Sequence, residues 1–259
     1  MSLITNITNW HEYTFNKGDR HKRDLVFKTK PTPITFEMHS KNYVIFKEIF
    51  VEDFYEIKTV LNLISKKPTI IDIGANVGFF DFLILSKLPL AQIHAYEPFE
   101  SNCSVLHNSI VNNKLENNIF IHQQAVTDNP DGNITLYYKS DDEESSIASI
   151  YSTFDSRNLK STQVQTTTLQ QIFYKEKLTK VDILKMDCEG AEYVILLSTP
   201  SEVLKNIKLI LLEVHLVTEE KYNPEMLKKF LEDNNFKVNA KEFTNGCFYY
   251  FAINENYEF

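Results

Sequence analysis

Thr69-Ile-Ile-Asp-Ile-Gly-Ala-Asn-Val-Gly-Phe-Phe80 is the stretch from which the fold is read. Ile70, Ile71 and Ile73 are β-branched and suit a buried strand, and two glycines then break the run. Gly74 and Gly78 bracket a tight turn, after which Phe79 to Lys87 reads as a helix. A strand, a glycine-rich turn and a helix make the first half of a nucleotide-binding βαβ unit. Backbone at such a helix start approaches a ligand closely only where no side chain intrudes. The dinucleotide fingerprint needs glycine at its first, third and sixth positions. Those positions hold Gly74, Asn76 and Phe79, so that reading fails.

Composition sets the frame around this stretch. A chain of 259 residues, 43% hydrophobic and 24% charged, can build one α/β domain of ordinary size with extra elements. A net charge of −8 argues against a dedicated nucleic-acid binder or a protein of anionic membrane surfaces. The local exception runs from Lys17 to Lys30, where Lys17, Arg20, Lys22, Arg23, Lys28 and Lys30 face only Asp19 and Asp24. A solvated face is the default for such a run. Cys103, Cys188 and Cys247 are far apart and form no Cys-x-x-Cys pair, which fits a reducing compartment and signals neither zinc nor a disulfide. The N-terminus lacks a basic segment followed by an apolar core, and no apolar run approaches the roughly 18 residues of a membrane span. The expectation is a cytoplasmic protein with no membrane or nucleic-acid partner, and a homodimer is left open.

Residues 1–50 precede the first βα unit and have a different character. Ile34-Thr-Phe36 and Tyr43-Val-Ile-Phe46 predict short strands of an N-terminal extension or cap. Phe54, Ile57, Leu61 and Ile64 share helical spacing within 51–65. From residue 51 to 259 strands and helices alternate: strands at 92–96, 119–121, 134–138, 164–168, 181–186 and 209–215, helices at 100–115, 169–178, 191–198 and after Asn223-Pro224. Asn245-Gly246 between two aromatic runs predicts a terminal hairpin. Residues 140–162, acidic and serine-rich at their start, break the rhythm and are expected to form a lid loop. The fold class is therefore α/β: a doubly wound, mostly parallel seven-stranded sheet with an antiparallel C-terminal strand and a β-rich N-terminal extension.

In such a sheet ligands meet the C-terminal strand ends. Those ends are Asp72 to Gly78, Glu97, Gln124 to Val126, Asp187 to Gly190, and Glu213 to His215. Glu97 follows Gly74 at about the 20-residue spacing of an acid that bonds ribose hydroxyls, and a carboxylate can accept from both. Lys185, inside an otherwise apolar strand, needs an ion-pair partner, with Glu189, Glu192 or Glu213 as candidates. His215 closes its strand near Glu213 and is the candidate base for an acceptor proton, with Asp187 and Glu189 beside it. The other histidines, His94 and His122 among them, have no such placement. Asp187, Glu189 and Glu213 could form an oxygen-ligand site, but no spacing requires a metal.

The pattern Asp72-Ile-Gly-Ala-Asn-Val-Gly78 resembles motif I of class I S-adenosylmethionine (SAM) methyltransferases. Val181-Asp-Ile-Leu-Lys-Met-Asp-Cys-Glu-Gly-Ala-Glu192 resembles the Lys-x-Asp-x-Glu-Gly-x-Glu signature of FkbM-type enzymes. Tyr96-Glu-Pro-Phe-Glu-Ser-Asn102, Ala125-Val-Thr-Asp128 and Leu212-Glu-Val-His215 fit the same family, and the likeness runs from about Tyr43 to the C-terminus. By this resemblance the chain is a SAM-dependent O-methyltransferase acting on a hydroxyl of a sugar or natural product and releasing S-adenosylhomocysteine. Asp72, Gly74, Asn76, Gly78, Glu97, Gln124, Ala125 and Asp187 would hold the cofactor. A nucleotide-linked sugar or surface-glycan precursor is the expected acceptor, with Arg20, Lys22 and Arg23 on its diphosphate and Glu213 on the sugar. A non-catalytic SAM-binding module is the rival reading, separable by turnover.

Overall fold

Alternation of β-branched runs with apolar helical stretches begins at residue 69, and much of the described chain before it packs over one helix. The computed structural model describes residues 2–16, 18, 23–130, 132–139, 148–244 and 246–257. The N-terminal part contributes α1 (Ser2–Asn6), α2 (His11–Phe15), β1 (Leu25–Lys28), β2 (Thr35–Met38), α3 (Tyr43–Phe46), a π-helical turn over Lys47–Glu52, and α4 (Ile57–Leu63). Then follow β3 (Thr69–Ile73), α5 (Phe79–Lys87), β4 (Gln92–Tyr96), α6 (Glu100–Asn113), β5 (Ile119–His122) and β6 (Ala125–Val126). After them come β7 (Asn133–Tyr138), β8 (Ala148–Ser149), β9 (Lys160–Thr167), α7 (Leu169–Lys175), β10 (Val181–Met186), α8 (Glu192–Ser198) and α9 (Ser201–Leu204). The chain ends with β11 (Ile207–His215), α10 (Pro224–Asp233), β12 (Phe236–Thr244) and β13 (Cys247–Asn254).

The main sheet has seven strands in the order β12-β13-β11-β10-β3-β4-β5. The expected class I methyltransferase architecture is present, with β13 antiparallel to both β11 and β12 and the other pairs parallel. Chain order runs outward from β3 to β5, then returns to β10 beside β3 and runs the other way. That reversal opens a crevice at the C-terminal ends of β3 and β10, where loops diverge. A second sheet, β6-β9-β7-β8, flanks the crevice. Among the described residues no helix is long and apolar enough to cross a membrane.

Helix α5 explains the N-terminal part. Phe79 through Ser86 are all buried, so the helix has no solvent face. One side packs on the sheet; the other is sealed by described residues of the N-terminal part, Leu3, Ile7, Phe27, Phe36 and Phe46 among them, which share one continuous core with it. Phe46 stacks on Phe27 (4.4 Å between ring centres), and Phe36 lies 5.1 Å from Phe79 and 5.5 Å from Phe82. Each fully buried phenylalanine of this cluster contributes about 1.5–3 kcal/mol relative to exposure.

Three sequence expectations need correction here. Tyr43–Phe46 is a helical turn, not a strand: Tyr43, Phe46 and Phe50 recur at i, i+3 and i+7 and share one buried face, a helical period hidden inside β-type residues. The extension is consequently mixed, with α1 and α2 beside a single two-stranded pair, β1 and β2. The helix expected over 51–65 is only Ile57–Leu63, because Asp53 (φ 55°) and Glu56 (φ 51°) adopt left-handed backbone just before it. The lid loop divides: 140–147 lie outside the described residues, Ala148–Ser149 pair with Tyr137–Tyr138, and Lys160–Thr167 is a full strand.

Candidate active site

One cleft of about 410 Å³ runs along the C-terminal edge of the sheet. Its first end is built on the turn after β3. Gly74 (φ 78°) lies against β10, and a Cβ there would overlap the carbonyl oxygen of Asp187. The turn's own amides are consumed internally. Gly74 and Ala75 donate to the Tyr96 carbonyl (2.9 and 3.1 Å), Asn76 to Glu97 Oε2 (2.9 Å), Val77 to Asn76 Oδ1 (2.8 Å), and Gly78 to the Ala75 carbonyl (2.9 Å). From Gly74 to Gly78 each amide is thus engaged, and no nest for a pyrophosphate is presented.

Glu97 follows β4 and lines the cleft although it is 4% exposed. Its Oε1 accepts from the Phe99 amide (3.0 Å) and Asn102 Nδ2 (3.1 Å), its Oε2 from Asn76. One lone pair of Oε2 is left over for a ligand hydroxyl. Burial pushes this carboxyl up to about 6, against those three donated bonds. Gln124 and Ala125 also line this end, the Gln124 amide reaching the Thr166 carbonyl at 3.5 Å.

Beneath the turn sits a buried ionic group. Lys185 Nζ is 3.1 Å from Asp72 Oδ1 and donates to the Gly74 carbonyl at 2.8 Å. Burial opposes its charge, but Asp72 and Asp187 hold its pKa above the ordinary lysine value. The expected partners Glu189, Glu192 and Glu213 are replaced by Asp72 because β10 and β3 pair with Lys185 directly opposite Asp72. Asp81, fully buried on α5, is pushed well above the carboxylate range by burial and by the charge of Asp72. Asp72 is therefore a support under the turn and does not line the cleft as expected. Gly78 also leaves the cleft: a Cβ there would overlap the Leu106 side chain, so this glycine serves the packing of α5 on α6.

The other end is crowded with acid. Asp187 and Glu189 follow β10, Glu213 and His215 end β11, and Glu48 enters from the π-helical turn. His215 Nδ1 lies 2.8 Å from Glu192 Oε1, and its Nε2 lies 3.4 Å from Glu189 Oε2. Glu192 is fully buried, and the same oxygen accepts from the Gly190 (3.2 Å) and Cys188 (3.4 Å) amides. Burial disfavours a charged imidazole, yet Glu192, Cys247 and Glu189 together raise His215 well above the ordinary histidine value. Burial pushes Glu189 up to about 8 and Glu48 up to about 7, with Asp187 adding to both. Burial and Asp187 raise Glu213 well above the carboxylate range, opposed by the Tyr55 hydroxyl that donates to it at 2.7 Å. Burial at this end thus favours the protonated forms of Glu48, Glu189 and Glu213.

The segment after β8 closes over it. Ser149 donates to the Glu189 carbonyl (2.6 Å), and Phe154 meets the His215 ring edge-on at 5.7 Å. Asp187, Glu189, Glu213 and His215 are thus brought together as expected. Arg23 is exposed and does not line the cleft, and Arg20 and Lys22 lie outside the described residues. Glu48, Tyr55 and the Glu192–His215 contact were missed by sequence reasoning. Only Glu192 carried a signal, as the last acid of the Lys-x-Asp-x-Glu-Gly-x-Glu pattern; Glu48 was hidden by the misread strand at 43–46.

A family model described as "Methyltransferase FkbM domain" matches residues 72–238. "Methyltransferase sdnD" of Sordaria araneosa is 25% identical over 218 residues, covering 75% of this chain and 82% of that protein. "AMB antimetabolite synthetase AmbE" of Pseudomonas aeruginosa is 23% identical over 200 residues, covering 66% of this chain but 9% of that protein. Among solved structures, an FkbM methyltransferase from Methylobacillus flagellatus KT aligns with TM-score 0.47 and 13% identity over 72% of this chain and 44% of that one. TrmK of M. capricolum, in complex with S-adenosyl-homocysteine, aligns with TM-score 0.45 and 12% identity over 78% and 68%.

Proposed function

The chain belongs to the FkbM methyltransferase family, and on that premise we propose that it methylates a hydroxyl of a polyhydroxylated small molecule, a sugar in the first instance, with SAM as donor. One observation carries the reading of the donor: the Gly74–Gly78 amides are all engaged while Glu97 faces the cleft with acceptor capacity to spare. That donor set suits a nucleoside without phosphates and disfavours a dinucleotide. SAM when bound supplies a methyl group already activated on a sulfonium.

The chain's own work is then placement and proton removal. Glu97 accepts from the ribose, Gln124 and Ala125 flank the base, and Asn76 and Asp187 border the methionyl part. At the acid-rich end Glu48, Asp187 and Glu213 orient the acceptor by hydrogen bonds to its hydroxyls, and this positioning supplies much of the rate. The Glu189–His215 pair receives the proton released on transfer. His215, drawn to the charged state by Glu192, lies against Glu189 and opposes the rise that burial imposes on it, and Glu189 in its ionised form is the first proton acceptor of this reading. Of the three residues expected from sequence to share this role, His215, Asp187 and Glu189, the reading thus puts Glu189 first. Carboxylates around the acceptor also favour a neutral polyol over a phosphate, so a nucleotide-linked sugar would keep its diphosphate at the mouth, beside Lys41.

A methyl-transfer screen with labelled SAM against free sugars, nucleotide sugars, other polyols and amines tests the reading. Labelled O-methyl product from a polyol is expected. Product from amines alone would overturn the hydroxyl assignment, and SAM binding without turnover on the whole panel would favour a non-catalytic module.

A further inference from the structure

We propose that His94, His122 and Glu176 form a binding site for one divalent transition-metal ion of the zinc class, on the outer edge of the sheet and apart from the methyl-transfer cleft. His94 and His122 stand on the adjacent strands β4 and β5, and Glu176 follows α7. None of the three lines the cleft.

The argument is geometric. His94 Nδ1 is 3.4 Å from His122 Nε2 and 3.5 Å from Glu176 Oε2, and one ligand atom from each residue lies within 4.8 Å of the others. Well-formed hydrogen bonds between such atoms run at roughly 2.7–3.2 Å. These separations are longer. The two edges that start at His94 Nδ1 match instead the edge of a tetrahedron around zinc, roughly 3.3–3.5 Å when the metal–ligand distances are about 2.0–2.1 Å, and His122 Nδ1 stands 3.9 Å from Glu176 Oε1 on the third side. Two imidazoles and a carboxylate are a donor set zinc accepts, with water in the fourth position. Glu176, a quarter exposed in its side chain, leaves room for that water.

The rings are also held in place before any ion arrives. His122 stacks on Tyr96 with ring centres 4.4 Å apart and planes within 8°, and His94 stacks on Phe120 at 5.2 Å. Fixed ligand orientation is what separates a binding site from a chance cluster. Tyr96 in turn lines the cleft beside Glu97. A bound ion would therefore tie the end of α7 to β4 and β5 and stiffen one wall of the cofactor end.

The test uses the full chain, stripped with a chelator and titrated with Zn²⁺ and Co²⁺. Wild type should take up one equivalent of Zn²⁺ at this site, and Co²⁺ should give the intense visible absorption of a tetrahedral site. His94→Ala and Glu176→Gln should weaken Zn²⁺ binding at least about 100-fold, from loss of a ligand. His215→Ala should leave that equivalent in place, which separates this site from the acid-rich end of the cleft. If His94→Ala fails to fold, the melting temperature decides: Zn²⁺ should raise it for wild type and not for Glu176→Gln. Absence of micromolar Zn²⁺ binding by wild type overturns the proposal. So does uptake that survives Glu176→Gln or vanishes in His215→Ala.

Discussion

The two ends of the cleft face the same space but are built on opposite principles. At the Gly74–Glu97 end nearly every polar group has its partner within the chain: the turn's amides are engaged and Glu97 takes three donors. At the Asp187–His215 end carboxylates crowd together, and burial pushes Glu48, Glu189 and Glu213 above the ordinary carboxylate range. A saturated, rigid end suits a ligand that is the same in every turnover. An end where burial favours protonated carboxylates suits chemistry that must move a proton. Lys185 joins the two, since it pins the turn through Gly74 and stands in β10, the strand that leads into Asp187.

That contrast can be broken most forcefully at the joint. Lys185→Met leaves Asp72 and Asp81 buried without their cation, and chemical denaturation should register a loss of about 3–5 kcal/mol. A variant as stable as wild type would mean that the aspartates are balanced without it. At the acid-rich end, His215→Ala should lower kcat about 10²–10⁴-fold, with SAM affinity by calorimetry unchanged. Parallel losses in both would show that the two ends are one unit.

The ends should also titrate apart. Ionised Glu97 is the accepting form and its pKa is raised to about 6, so SAM affinity should be full above that pH and fall as pH drops through it. Glu97→Gln should weaken SAM roughly 10–100-fold and flatten that dependence. At the other end ionised Glu189 is the proposed proton acceptor, so kcat/KM should rise with pH through about 8, and Glu189→Gln should remove the rise. Coincident pH profiles for Kd and kcat/KM would erase the distinction. The smallest effect belongs outside both ends: Arg23→Ala should leave the acceptor KM where it was, and a raised KM would bring the basic segment back to the acceptor.

The two ends also differ in how far they could be read in advance. Strand ends at Asp72, Glu97, Asp187 and His215 followed from local pattern, because a parallel sheet sends all its C-terminal ends to one edge. Gly74 and Glu97 were legible since a turn and an acid at fixed spacing is a local relation. Asp72 was misassigned as a ligand contact because the strand pairing that places Lys185 opposite it joins residues more than a hundred positions apart. The helical turn at Tyr43–Phe46 was missed because β-branched and aromatic residues favour strands until a buried face elsewhere imposes another period.

From the sequence alone came the alternating α/β order, the antiparallel last strand, the family, and the identity of the acids and the histidine that meet at the sheet edge. These depend on periodicity and short-range spacing, which a linear chain displays. Tertiary structure alone decided that described residues of the N-terminal part seal the all-buried helix α5, that Glu192 rather than Glu213 orients His215, and that His94, His122 and Glu176 converge. Each of those depends on which distant segments share a wall. A side chain's charge state and partners are set by the neighbours that desolvate it, and those neighbours are fixed only when the chain has folded.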